Sequence, residues 1–310
     1  MLNIPSHSLY TMLLVLGLLV LASGVQYALQ IKHPERDYEE LKKRITSWWW
    51  MIGILFICLA VSTTAAIILF AFISFLALKE FFSIVPLRFN DRRVVFLAYL
   101  SIPLQYYWVA LGWYGMFIIF IPVYVFLLLP MRMVLIGETK GFIQAAGTIH
   151  WATMLTVYCI SHVAYLLVLP ERNLQAGGLG LVIFILFMTE LNDISQYISG
   201  KLFGKHKIIP KVSPNKTWEG FIGGLLCISL LSTLIAPWLT PLNVWQGFGA
   251  GILISCAGFI GDVVISSVKR DLAIKDSGTL IPGHGGILDR FDSLIYTAPL
   301  FFHYCYYLAY

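Results

Sequence analysis

The chain has 310 residues, of which 59% are hydrophobic and 12% charged, and its mean hydropathy is +0.81. Soluble domains sit near half apolar and a quarter charged, so an ordinary soluble fold is excluded and an all-α polytopic membrane protein is expected. The net charge of +5 lies in loops suited to anionic headgroups and needs no nucleic-acid partner.

Apolar runs predict about ten transmembrane helices, near 9–29, 48–62, 64–84, 94–110, 113–129, 147–169, 179–198, 218–239, 244–266 and 293–310. The first run is too long for a signal peptide and has its positive charge after it, so it reads as an uncleaved anchor. The loop that follows carries Lys32, Arg36, Lys42, Lys43 and Arg44. Further basic loops hold Arg88, Arg92 and Arg93, then Arg132 and Lys140, then Lys201 to Lys216, then Lys269 to Arg290. With both termini outside, all of these face the cytoplasm, and of 21 basic residues only Arg172 falls outside. Cys58, Cys159, Cys227, Cys256 and Cys305 lie singly within spans and read as packing residues. His150 and His162 read as satisfied core histidines, and Ser47–Met51 as part of an interfacial aromatic belt.

Two polar loops stand apart. In the first, "DISQYISGKLFGKHKIIPKVSPNKTWEGFIGG", Ser213 and Pro214 predict a capped helix start. Its free N–H groups, with Lys207, Lys211 and Lys216 near, suit a phosphate, although a solvated basic loop explains the same residues. Glu190 and Asp193 close the preceding span, and Asp193 is the better candidate ligand for a cation.

In the second, "GDVVISSVKRDLAIKDSGTLIPGHGGILDRFD", Asp262 lies inside a span, where an ionisable residue usually lines a polar site. Helical spacing puts Asp262, Ser266 and Lys269 or Arg270 on one face. Asp289 and Asp292 share a face if a helix follows Gly286. Carboxylates among lysines and arginines suit a hard divalent cation holding a polyphosphate; the plainer alternative is ion pairing of each aspartate with Arg270 or Arg290. The glycines around His284 allow backbone N–H groups close to an anion, and His284 itself reads as functional.

The second loop resembles the signature of the phosphatidate cytidylyltransferases, in the order Ser266, Lys269-Arg270, Lys275-Asp276, Pro282, His284-Gly285-Gly286, Asp289-Arg290 and Asp292. "GKLFGKHKIIPKVSPNKTWEGFIGG" is similar to another loop of that family, while the first half resembles it only as a series of spans. The resemblance implies that CTP and phosphatidate give CDP-diacylglycerol and pyrophosphate, with Mg2+ as cofactor. It implies Asp262 and Asp289 as metal carboxylates and catalytic residues, joined by Asp193 and Asp292 as metal ligands. Lys269, Arg270, Lys275 and Arg290 would hold phosphates, and Ser213, Asn215, Lys216 and Thr217 the nucleotide, with His284, Gly285 and Gly286 also binding substrate. The expected partners are CTP, phosphatidate or a related lipid phosphate and membrane lipids, with a homodimer left open. The expected organisation is one integral domain over 1–310 in the cell inner or plasma membrane. Helical spans fill 1–170, and the catalytic region over 171–310 has its site facing the cytoplasm.

One departure is Gln196 before Tyr197, where the family carries alanine; with the extra first span it points to a divergent paralogue with a related acceptor lipid. A polytopic transporter is the alternative of another class, since intramembrane aspartates also mark ion pathways. Against it, the acidic residues gather at one face and no inverted repeat is present.

Overall fold

A computed structural model of the chain describes residues 4–35 and 37–310, so that Arg36, one of the first loop's basic residues, lies outside it. Apart from two isolated bridges, Lys207–Thr217 and Ile281–Gly285, regular structure among the described residues is helical. The helices are α1 Ser6–Lys32, α2 Glu39–Val61, α3 Thr63–Ile84 and α4 Arg92–Ala110. A rod follows in which α5 Tyr114–Ile119 passes through a π-helical turn, Phe120–Val125, into α6 Phe126–Val134. Another joins α7 Phe142–Thr153 through a second π stretch, Met154–Cys159, to α8 Ile160–Leu166. Four helices complete the chain: α9 Gly177–Phe203, α10 Trp218–Leu239, α11 Val244–Asp271 and α12 Leu288–Ala309.

Seven of these are long and apolar enough to cross a membrane: α1, α2, α3, the rod Tyr114–Val134, α9, α10 and α11. That makes the chain a polytopic integral membrane protein. Three further rods correspond to the remaining apolar runs. Of these α4 opens on Arg92 and Arg93, α7–α8 is interrupted by its π stretch, and α12 carries Asp289, Arg290 and Asp292 in its first turns. The second helix starts well before its apolar run. Its polar first turns stay helical through the i,i+4 pairs Lys43–Glu39 at 3.1 Å and Arg44–Glu40 at 2.5 Å. Ser62 then separates α2 from α3, adopting extended backbone and accepting from the Ala65 N–H at 3.0 Å. The first π turn contains Pro122, whose missing N–H already breaks the α-helical ladder.

Helices α9, α10, α11 and α12 form the tightest part of the bundle, meeting at small residues that let backbones approach. Gln196 of α9 lies on Gly224 of α10, and its Nε2 donates to Asn192 Oδ1 at 3.1 Å. It is 5% exposed, so the family departure at this position packs between α9 and α10. Gly251 of α11 packs on Ser229 of α10, and Gly261 of α11 on the backbone of α12 at Asp292 and Ser293. The five cysteines are free. His150 is satisfied by the Ala146 and Phe126 carbonyls, whereas buried His162 bonds only through Nδ1, leaving Nε2 without a partner.

The loops sort to two ends. At one end Arg88 donates to the Glu138 and Lys140 carbonyls, Arg270 to that of Val212, and Arg44 lies against Gly283, so the basic loops gather together. Hydrogen bonding to Asp91 raises the Arg88 pKa above its ordinary value, fixing that charge. At the other end His7 stacks on Trp238 at 3.5 Å, Asn173 donates to the Trp238 and Thr240 carbonyls, and Arg172 lies over Tyr310.

Candidate active site

The site lies at the basic end, where two loops meet. After α9 the chain doubles back: Ile208 N–H donates to the Lys216 carbonyl at 3.1 Å and Trp218 N–H to that of His206 at 2.9 Å. Residues 213–216 are therefore a turn, and the helix expected from Ser213-Pro214 begins later. Thr217 is the N-cap of α10, with extended backbone and Oγ1 accepting from Gly220 N–H at 3.2 Å. The physical reason is the Lys207–Thr217 bridge, which holds the segment extended until Thr217 can cap. Glu219 ties the loop down by accepting from Lys205 N–H at 3.0 Å and pairing with His206 Nδ1 at 2.6 Å.

This fold turns Lys216 inward. Its Nζ reaches Asp262 Oδ2 at 2.5 Å, and Ser266 Oγ donates to Asp262 Oδ1 at 3.2 Å, so the helical spacing of Asp262 and Ser266 is realised. Ser213 is half-buried in the same loop, while Asn215 stays exposed. Lys269 and Arg270 diverge. Lys269 Nζ lies 2.8 Å from Asp289 Oδ1, whereas Arg270 Nε bonds the Val212 carbonyl of the first loop at 3.1 Å. The ion-pair partners of the two key aspartates are thus Lys216 and Lys269, not Arg270 or Arg290, because α11 presents lysine to α12 while the arginine faces the first loop. Arg290 Nε is buried with no partner. Lys275 and Asp276 are exposed.

The loop leading into α12 closes on itself, Ile281 N–H donating to the Gly285 carbonyl at 2.9 Å. Gly283 and Gly285 take φ of +75° and +81°, a region that side chains resist. The turn delivers the Gly286 N–H and the Ser277 N–H to Asp289 Oδ2, each at 2.9 Å. Asp289, in the first turn of α12, therefore has both oxygens engaged. His284 meets Trp48 edge-on at 5.8 Å, and burial, then Arg290 and Arg44, lower its pKa below the ordinary value. Trp48 thus belongs to the site, although its neighbour Trp50 is exposed as an interfacial residue would be.

Ser293 links two further aspartates: its Oγ donates to Asp193 Oδ1 at 3.2 Å and its N–H to Asp292 Oδ1 at 2.8 Å. Asp262 and Asp193 are both near enough to Asp292 to act on its charge. Among the described residues no group of three or more His, Cys, Asp or Glu is spaced to hold a metal ion. Asp193 of α9, Asp262 of α11 and Asp292 of α12 are nevertheless hard carboxylate donors of the kind magnesium prefers.

Besides Trp48, two participants were not foreseen in the sequence. Ser47 of α2 donates to the Pro282 carbonyl at 2.7 Å. Glu80 of α3 accepts from Ser277 Oγ at 2.5 Å, Leu288 N–H at 3.0 Å and Ile287 N–H at 2.8 Å. An acid inside an apolar run was the signal available for Glu80; nothing in the sequence marks Ser47.

Ammonium–carboxylate pairs beside a glycine turn, at the basic end of an apolar helical bundle, are chemistry suited to phosphate esters at a membrane surface. The chain belongs to the cytidylyltransferase family, which it matches over residues 42–308, and it is a CTP-dependent nucleotidyltransferase. It is 43% identical over 294 residues to the uncharacterized protein YnbB of Escherichia coli (strain K12), covering 95% of this chain and 97% of that one. It is 39% identical over 157 residues to the phosphatidate cytidylyltransferase of Staphylococcus saprophyticus, and over 150 residues to that of Staphylococcus aureus (strain COL). Each of these matches covers 47% of this chain and 58% of the staphylococcal enzyme.

Proposed function

We propose that the protein transfers the cytidylyl group of CTP to phosphatidate, releasing pyrophosphate and leaving CDP-diacylglycerol in the membrane. The observation that carries this reading is the pair of contacts Lys216–Asp262 and Lys269–Asp289, which sets two cations and two carboxylates where the first loop, α11 and the start of α12 meet. In the reaction a phosphate oxygen of the lipid attacks the α-phosphorus of CTP, forming the new P–O bond as the bond to pyrophosphate breaks. The attacking oxygen is already ionised near neutral pH, its second pKa being about 6, so no serine or cysteine nucleophile is needed. Catalysis is then positioning and charge neutralisation.

Lys216 and Lys269, with Lys275 and Arg290, are the phosphate-holding groups in this reading, and Arg270 braces the first loop. Thr217 and the turn before it, Ser213 and Asn215 included, form the nucleotide side. Gly285, Gly286 and His284 form the wall beside Asp289. Asp262 and Asp289, with Asp193 and Asp292, are the residues that would hold Mg2+, whose charge would offset that of the triphosphate. The site faces the cytoplasm of an inner or plasma membrane, in a chain of about ten spans with both termini outside. Residues 1–170 are its N-terminal spans and 171–310 its catalytic region.

A related lipid phosphate as acceptor is the second reading. It is favoured by the staphylococcal matches, which cover 47% of the chain while the likeness to YnbB runs through 95% of it. Incubating purified protein in detergent–lipid micelles with CTP, magnesium and a panel of lipid phosphates, and measuring pyrophosphate, tests both. Release with phosphatidate is expected. Release only with another lipid phosphate would select the second reading, and no release with any would refute both.

A further inference from the structure

We infer that Glu80 is a positioning residue of the nucleotidyltransferase site: it fixes the loop before α12, and through it Asp289, although it lies in the third helix of the chain. The inference rests on the reading of that loop as part of the active site. Glu80 is half-buried, and none of the ion pairs among the described residues involves it. Its three donors all belong to the loop and the start of α12. Ile287 and Leu288 contribute N–H groups that a helix start leaves without intrahelical partners, and a carboxylate is the strongest acceptor for them.

The arrangement interlocks with Asp289. Ser277 gives its hydroxyl to Glu80 and its N–H to Asp289. Gly286 gives its N–H to Asp289, and the next residue, Ile287, gives its N–H to Glu80. Two carboxylates thus hold the same two points of the loop, and a shift of one displaces the donors of the other. Glycine chemistry points the same way. A Cβ at Gly278 would lie 2.8 Å from Glu80 Oε2, and one at Gly286 would overlap the Glu80 carboxylate outright. The last glycine of "GHGG" therefore admits Glu80, in addition to bringing its N–H to Asp289. A residue that merely capped α12 would need neither the serine nor the two bare Cα positions.

The test compares Glu80→Gln, Glu80→Asp, Glu80→Ala and Gly286→Ala in the full-length protein in micelles, with turnover normalised to folded protein. Glu80→Gln should lower kcat about 10- to 100-fold, the effect of a misplacement near 1 Å, with KM for CTP within about twofold. Glu80→Asp should recover part of the rate and Glu80→Ala none. Glu80→Ala combined with Gly286→Ala should lose no more than the worse single variant, because both disrupt one contact. Hydrogen exchange without substrate should show faster exchange of the Ile287 and Leu288 amides in Glu80→Gln. A kcat per folded molecule equal to wild type, or unchanged exchange at those amides, would overturn the inference. Wild-type protein inactive on every lipid phosphate would instead overturn the proposed reaction, and the exchange comparison would still decide whether Glu80 sets the loop.

Discussion

Lys269 and Asp289 face each other across 2.8 Å between the end of α11 and the first turn of α12, with side chains only 14% and 6% exposed. Breaking such a pair from one side leaves a charge uncompensated and costs about 3–5 kcal/mol. Asp289→Asn should therefore lower both the thermal midpoint and turnover, and the two losses have separable causes. Adding Lys269→Met removes the stranded ammonium and should restore most of the midpoint. Turnover should stay depressed by about 100-fold or more, because Asp289 and the phosphate-holding Lys269 are then both gone. Pyrophosphate release that recovers together with the midpoint would reduce Asp289 to a structural partner of Lys269.

The cap of α10 gives a cleaner stability comparison. Thr217→Ala removes the acceptor for Gly220 N–H and should cost about 1 kcal/mol, whereas Thr217→Ser should be close to neutral. Ser213→Ala should change stability by less than about 0.5 kcal/mol, since Ser213 lies in the turn before the helix. Chemical denaturation in micelles checks the ranking, and a larger loss at Ser213 would restore the helix start to that residue.

His284 makes stability depend on acid. Burial, then Arg290 and Arg44, hold its folded pKa below the ordinary 6.5, so the unfolded chain takes up the proton first. Its neutral form contributes fully above pH 6.5, and the contribution is lost as pH falls from 6.5 towards the lowered folded pKa. The thermal midpoint of wild type should drop between pH 7 and 5 by more than that of His284→Gln. Parallel curves for the two proteins would show that His284 does not titrate in this window. Stability is the readout because the lipid phosphate itself titrates near pH 6 and would confound a rate.

Orientation is open to labelling. Lys207→Cys and Lys275→Cys, both exposed at the basic end and placed in a cysteine-free background, should react only with reagent on the cytoplasmic side. Arg172→Cys, at the opposite end beside Tyr310, should react only from outside. Labelling of position 207 or 275 from outside would invert the proposed topology and remove the site from cytoplasmic CTP.

The all-helical, membrane-spanning character was legible in the sequence because apolar length carries it directly. The helix after Gly286, a condition for Asp289 and Asp292 to share a face, is present from Leu288, and the Asp262–Ser266 spacing followed from helical periodicity. Partner choice did not. Whether Lys269 or Arg270 meets Asp289 depends on the roll of α11, and hydropathy is blind to that. The Ser213-Pro214 signal was locally sound, but it was overridden by a pairing between Lys207 and Thr217 that joins separate parts of the loop. Ser47 and Trp48 read as interfacial aromatics and neighbours because their contacts, Pro282 and His284, lie more than two hundred residues away.

Those distant contacts also set a schedule for synthesis. Glu80 and Leu288 are 208 residues apart, and Ser47 and Pro282 are 235 apart. A growing chain lays down its N-terminal helices first, so Glu80 is in place long before the loop it receives has been translated. The loop's first half follows α11, yet its amides at Ile287 and Leu288 become available only when α12 begins. Unfinished chains therefore hold the first loop and its lysines without the partner loop that carries Asp289 and its donors.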